Sequence, residues 1–508
     1  MKTGLPDDPN LLRKKTWGIF ALYFLAVFTL LLYHEPWEDE LHAWCIARDL
    51  SLPEIIYDMR YEGHFALWYL LLKPFAAVGS VLLLNVVSCL LVSASVAMLL
   101  SGRAFGLGFK IVLILSCPIL YWFPVVSRNY ALIPLALCLL AATYPVRLKH
   151  PFAYSLALIL LVHTHAYMEG LAGILGMFFA WELLRRSWRI GGRYRWIATG
   201  ALLLLGLGVA AAFLQVAPAF GVSSAAPATA SLIWADPGSI PARIWDVLMK
   251  LPEDFLEIPG RFLGKYPVIV LFYVCLSAAM LQLFLTRRRA AVIFLAGFLW
   301  QILFAALLYP MALHRVYLPL LMLVFCFVLP ARKKLLHDLP PRQRKLLTTM
   351  IPAAILALMT WPDTGYYAVS DLFKPFSNQG LAARLIESEL PEDAKIVVFP
   401  DALITGTFRA YLPNRTFYHC SDGKPFRIFR TGGKMPEKLD PGLLESYLDT
   451  GKEVYLLFQF GAFLEYQLPL DRSKYVFDDL IMDAVFYTTP PAFFSAGENY
   501  AVFRVTRN

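Results

Sequence analysis

The chain has 508 residues, of which 58% are hydrophobic and only 16% charged, with a formal net charge of +9 and a mean hydropathy of +0.57. A soluble protein carries about 25% charged residues, so this composition excludes a water-soluble globular chain. The positive excess makes no case for nucleic-acid binding. It sits in short loops between apolar stretches, where basic residues mark the cytoplasmic side.

Hydropathy and charged breaks predict eleven membrane spans, at 17–33, 80–100, 109–125, 129–146, 151–163, 166–184, 196–216, 266–285, 290–309, 316–330 and 346–361. The first could be a signal peptide, but "HEPWEDE" follows it with no small-residue cleavage site, so it reads as a span. Arg13-Lys14-Lys15 places the N-terminus in the cytoplasm, with loops 101–108, 147–150, 185–195, 286–289 and 331–345 on the same side. These hold Arg185, Arg186, Arg189, Arg193, Arg195, the triplet 287–289 and Arg332-Lys333-Lys334. An odd number of spans leaves the C-terminus outside. The expected location is the inner (cell) membrane.

Directly after the first span, "YHEPWEDELHAWCIARD" (Tyr33–Asp49) crowds Glu35, Glu38, Asp39 and Glu40 into six residues beside His34 and His42. Pro36 and carboxylates suit the first turn of a helix, which accounts for one or two acids but not four. At about 100° per residue, Trp37, Leu41, Trp44 and Cys45 share an apolar face and Asp39 lies nearly opposite Trp37. The helix can therefore lie on the membrane surface with Asp39 toward water, where a carboxylate could serve as a general base or hold a metal. Next, Glu62 and His64 flank Gly63, and "FALWYLLLKPFAAV" (65–78) is too short to span and reads as interfacial or re-entrant.

Further along come "SRNYAL" (127–132), "HTHAYMEG" (163–170) and "YPMALHRVYLPLL" (309–321). His163 and His165 resemble a metal pair, although His-x-His alone is a weak signal. Under the predicted topology His34, His42, His64, His163, His165, His314 and His419, with Arg128 and Arg315, fall outside or at the outer boundary. Ionisable groups at membrane depth are costly and face cavities or partners; snorkelling explains any one of them, and a polar cavity opening outward explains the set. The outer loop 217–265 turns amphipathic in "SIPARIWDVLMKLPEDFLEI" and reads equally as a lid or a static cap. Of seven cysteines, only Cys45 and Cys420 lie outside the spans, and nothing implies that they pair.

From about residue 375 the pattern changes. Strand-like runs "KIVVF" (395–399), "EVYLLFQF" (453–460) and "YAVFRV" (500–505) alternate with helical "GLAARLIESEL" (380–390) and "PGLLESYL" (441–448). This predicts a small α/β domain. The expected organisation is a transmembrane part, 1–374, with outer loops 34–79 and 217–265, followed by an extracytoplasmic α/β domain, 375–508.

Taken in order, these blocks resemble the C-type (GT-C) integral membrane glycosyltransferases, most closely the protein-mannosyltransferase and aminoarabinose-transferase branch. Asp39-Glu40 matches the family's Asp-Glu pair in the first outer loop. "GHFALWYLLL" keeps the His of a His-Pro-Pro-Leu-type block as His64 but has Phe65-Ala66 in place of the prolines. Arg128 with Tyr130, His163 with His165, and Arg315 with Tyr317 match later elements, and the likeness covers most of 17–330. The resemblance implies a sugar donor on a polyprenyl phosphate and inverting transfer to an acceptor hydroxyl of a lipid, glycan or protein on the outer face. A lipid phosphate is a stable leaving anion, so no carboxylic acid is needed, unlike in inverting glycosidases. Asp39 is then the expected base. Arg128, Arg315 and Lys265, with Tyr130, are candidate phosphate contacts. Glu40 with His165 could hold a divalent ion, the one cofactor considered. Glu62, His64 and His163 are further candidates.

Three other readings compete. A lipid-linked sugar transporter would place its ionisable residues near mid-membrane, commonly in repeated halves, and no repeat is visible. An oligosaccharide ligase or polymerase would share the same donor. A receptor would not need eleven spans as an anchor.

Overall fold

The computed structural model describes residues 9–57, 59, 63–217, 237–311, 313–331, 351–399, 407–420, 422–425, 428, 441–459, 474–477, 479–494 and 498–508. The chain divides into two units. The first comprises 1–31, 63–67 and 86–367, and the second comprises 32–62, 68–85 and 368–508.

Helices dominate the first unit. They include α1 (Pro9–Tyr33), which runs on into the second unit at its last two residues, and, after α2 (Glu38–Asp49), α3 (Leu52–Tyr57) and α4 (Leu67–Ala76), α5 (Leu82–Ser101), whose first four residues belong to the second unit, α6 (Leu107–Ile114), α7 (Leu132–Thr143), α8 (Pro151–Val162), α9 (Glu169–Ile190) and α10 (Gly192–Val216). Helices Lys265–Thr286, Arg288–Leu307, Leu318–Val328 and Ile351–Met359 follow. Among the described residues seven stretches are long and apolar enough to cross a membrane, and each coincides with a predicted span. Of the other four, 151–163 and 316–330 are shorter apolar helices. The stretch 109–125 breaks after α6 and resumes as a π turn at Pro118–Trp122, because proline cannot continue the i→i−4 ladder. The last, 346–361, lies partly outside the described residues. The region 65–78 forms the ten-residue helix α4, Leu67–Ala76.

Burial explains why these helices belong in lipid. Leu22 and Leu25 on α1, and Leu203, Leu207, Phe213 and Leu214 on α10, are exposed. Such surface would be a liability in water. Where helices meet, side chains are small. A Cβ on Gly208 of α10 would lie 2.5 Å from Ile159 of α8, and one on Gly170 of α9 would lie 2.2 Å from Trp300. Close approach of this kind holds helices together where no hydrophobic force between them exists. At predicted cytoplasmic loops, Glu182 joins Arg147 at 2.7 Å and also pairs with Arg289. In the predicted outer loop, the amphipathic stretch becomes helices Ile240–Phe255 and Glu257–Leu263. Leu251, Phe255 and Leu256 are buried, and the Ile258 N–H donates to Asp363 at 2.7 Å. This portion packs against the rest of the first unit; 218–236 lie outside the described residues.

The second unit is built on a six-stranded sheet of order β2-β1-β3-β6-β5-β4. Its strands are β1 (Lys395–Phe399), β2 (Phe417–His419), β3 (Val454–Gln459), β4 (Lys474–Phe477), β5 (Leu480–Tyr487) and β6 (Tyr500–Arg507). β1 pairs in parallel with β2 and β3, and the remaining pairs are antiparallel. Both faces are covered, which is why β1 and β3 read as unbroken apolar runs. Ile396, Val398, Leu457 and Val502 pack with Ala382, Ala383 and Ile386 of helix Gln379–Glu389. Val397, Phe399, Leu456 and Phe503 face Leu444 of helix Pro441–Leu448. The same unit contains residues of the first outer loop, including α2 (Glu38–Asp49) and α3 (Leu52–Tyr57).

Candidate functional site

In the second unit, the helix foreseen after Trp37 is α2, with Trp37 as its N-cap residue. Leu41, Trp44 and Cys45 are buried as their shared face requires, but Glu40 and the whole run Leu41–Ala47 are buried too. The expected surface helix is thus corrected: α2 is a core element. Arg48 donates to the carbonyl of Arg409 at 2.8 Å, and Trp37 and Phe376 both pack on Phe494. Asp39, in the first turn, is half-buried.

Glu40 is the residue that fixes this turn. Its Oε2 accepts from the Trp37 N–H at 3.2 Å, capping the start of the helix, and from His34 Nε2 at 3.0 Å. Its Oε1 accepts from Asn85 at 3.2 Å. His34 Nδ1 reaches Asp371 at 2.7 Å. With a carboxylate on each ring nitrogen, both nitrogens donate, so the imidazole is protonated. Burial alone would lower its pKa; Asp371 and Glu40 outweigh it and raise the pKa to about 10. Glu35 lies against Gly380 at the start of helix Gln379–Glu389, where its carboxylate accepts from the backbone and meets the helix dipole. Burial raises its pKa. Glu35 and Glu40 thus have partners distant in sequence, and the Glu38 main-chain N–H donates to Glu498 at 3.2 Å.

The first unit gathers another polar cluster on three short 3-10 turns, at the starts of α7, α9 and helix Leu318–Val328. Each turn interrupts an apolar run and re-aims one or two polar side chains. Arg128 precedes the turn Asn129–Ala131, which Asn129 ties to the Thr164 carbonyl at 2.7 Å. His165 precedes Ala166–Met168, and His314 and Arg315 lie within Leu313–Tyr317. His165 Nδ1 accepts from the Tyr167 N–H at 3.2 Å, so its proton sits on Nε2 and points to Tyr130 Oη at 2.9 Å. His64 stands beside it, with ring centroids 6.2 Å apart. Arg315 stacks over Tyr309 at 4.3 Å. Arg128 and Arg315 are each 8% exposed and lie within electrostatic reach of each other and of His165.

His314 completes this cluster and was not singled out from the sequence. It is 3% exposed, with its ring 4.2 Å from Tyr130 and 5.6 Å from Trp122. Neither ring nitrogen has a hydrogen-bond partner among the described residues. The available signal was its place next to Arg315, just before a proline-started helix.

Other candidates lie elsewhere. His163 bonds the Gly208 carbonyl at 3.0 Å, a helix-packing contact. Lys265 pairs with Glu253 at 2.7 Å, half-exposed. Glu62 lies outside the described residues. For a divalent ion, the Glu40 oxygens and both His165 nitrogens are already engaged within the protein. Among the described residues no three His, Cys, Asp or Glu side chains converge.

Helices and sheet together define a polytopic helical membrane protein with a C-terminal α/β domain. No protein-family model matches the chain, and no curated protein matches it. Two solved structures are similar over nearly their whole length. One is the crystal structure of ArnT from Cupriavidus metallidurans bound to undecaprenyl phosphate, at 13% identity and a TM-score of 0.48, covering 96% of this chain and 97% of that one. The other is the same protein in the apo state, at 14% identity and 0.47, covering 97% and 98%.

Proposed function

We propose that the chain is a glycosyltransferase of the GT-C type that moves a sugar from a polyprenyl-phosphate donor to an acceptor hydroxyl on the outer face of the membrane, with inversion. The observation that carries this reading is the cluster of Arg128, Arg315 and the unpartnered His314, all buried in the first unit. Two guanidinium groups and an imidazole offer N–H donors for phosphate oxygens in a setting where charge-assisted bonds are strong. Tyr130, held by His165, adds a hydroxyl. As the C–O bond to the phosphate breaks, these groups receive the growing negative charge on the departing lipid phosphate. The resemblance of Asp39-Glu40 to the family's Asp-Glu pair supports Asp39 as the base that takes the acceptor hydroxyl's proton.

The reading is tested by supplying the purified protein in nanodiscs with polyprenyl-phosphate sugars and following release of polyprenyl phosphate. Arg128→Ala and Arg315→Ala are each expected to raise the donor KM by about 10–100-fold, the scale of one charge-assisted bond. Unchanged donor kinetics in both variants would leave these arginines as interfacial residues.

Orientation has its own test. Glu392 is exposed in the second unit, whereas the native cysteines are buried apart from the half-buried Cys138, so background labelling is low. Glu392→Cys should react with a membrane-impermeant thiol reagent in intact cells once any outer membrane is permeabilised. Labelling only after the membrane is opened from within would reverse the assigned topology.

A further inference from the structure

The C-terminal domain grips both ends of α2. At one end Arg48 bonds the Arg409 carbonyl, and Asp49 lies 3.7 Å from the Arg409 guanidinium. At the other, Glu498 is 1% exposed; one oxygen accepts from the Glu38 N–H at 3.2 Å and the other from the Ser377 hydroxyl at 2.7 Å. The backbone of Glu498 is fixed as well, its carbonyl accepting from the Asn378 N–H at 3.0 Å. A helix N-terminus favours an anion, and here the anion comes from the far end of the chain. Around it stand Glu38, Asp39 and Glu40 of α2, Tyr500 of β6, and Tyr411 following the turn Thr407–Ala410.

We propose that Glu498 is a positioning residue for the reaction at Asp39: it holds the first turn of α2 and sets the charge beside the carboxylate that acts as base. This rests on Asp39 being that base. Burial pushes Glu498 up to about 7, opposed by its bonds to Ser377 and the Glu38 N–H and reinforced by Asp39 and Glu40. Below that pH Glu498 is neutral. Above it, the added negative charge raises the proton affinity of Asp39, and a stronger base removes the acceptor proton faster.

The test measures kcat/KM against pH for the full chain in nanodiscs, with a polyprenyl-phosphate sugar. The wild type should show a rise of about threefold to tenfold near pH 7. Glu498→Gln keeps an acceptor for the Glu38 N–H but cannot ionise, so the rise should vanish while the donor KM stays unchanged. Ser377→Ala removes a bond that favours the carboxylate, so the rise should move to higher pH. Profiles of both variants that superimpose on the wild type overturn the inference. If Glu498→Gln does not fold, Ser377→Ala decides alone. Asp39→Asn separates the two claims: normal turnover there removes the base itself, whereas its loss together with an unshifted rise in the Glu498 and Ser377 variants leaves the base and removes this inference.

Discussion

Asp39→Asn is expected to leave the chain inserted, folded and able to bind donor, while transfer falls by about 10²–10⁴-fold, the usual contribution of a positioned general base. Asp39 is chosen because it matches the Asp of the Asp-Glu pair and stands half-buried in the first turn of α2. Glu40 is fully buried with both oxygens engaged by His34, Trp37 and Asn85. Glu35 lies on Gly380, and the first-turn N–H of Glu38 is held by Glu498. Asp39 is a half-buried acid on a turn whose neighbours fix its backbone. Asn preserves size but cannot take a proton, and it turns one acceptor oxygen into a donor NH2, so a loss with donor binding intact would report basicity. Glu40→Gln makes the contrast. It presents an amide to N–H donors, and its defect should appear as reduced thermal stability before it appears in kinetics. Near-normal turnover in Asp39→Asn, together with loss in Glu38→Gln, would move the base by one residue.

His34→Ala is expected to destabilise the second unit by about 3–5 kcal/mol, because it strips the cation from between two buried carboxylates. The same pair of contacts predicts a pH dependence with a definite sign. The folded-state pKa of His34, about 10, lies above its ordinary value, so folding binds a proton that the unfolded chain releases more readily. The stabilisation is complete below about pH 6.5 and is lost as pH rises through about 10. The wild-type melting temperature should therefore decline across that alkaline window, and the decline attributable to His34 should be absent from His34→Ala. A flat wild-type profile between those limits, or a His34→Ala protein that melts normally, would show that the imidazole is neutral or dispensable.

The parts legible in the sequence were those set by a local rule. Bilayer thickness demands long apolar runs, and seven of them appear as helices where they were placed. The 3.6-residue period revealed the shared face of Trp37, Leu41 and Trp44. Doubly covered strands announce themselves as apolar runs, which located β1, β3 and β6 at the middle of the sheet, while the hairpin of β4 and β5, with its mixed pattern, passed unnoticed. What could not be read was the environment of α2. Its surface placement failed because the partners of Glu40 and His34 are Asn85 and Asp371, 45 and 337 positions from them, and no periodicity encodes such a meeting. His314 was legible only as one member of the outward set of histidines and arginines, because the lack of partners at its ring nitrogens among the described residues is a property of space and not of spacing.

The pairing of Glu38 with Glu498 spans 460 positions, and this has a consequence for the protein's birth. At roughly 5–20 residues per second, between about 23 and 92 seconds of translation separate the two. Throughout that interval the acidic segment is displayed beside the membrane as a short, strongly charged peptide with no core to enter, below the length at which an isolated helix holds its shape in water. The first turn of α2 thus lacks its Glu498 contact until residue 498 has been made, and a ribosome that stops early leaves that turn without it.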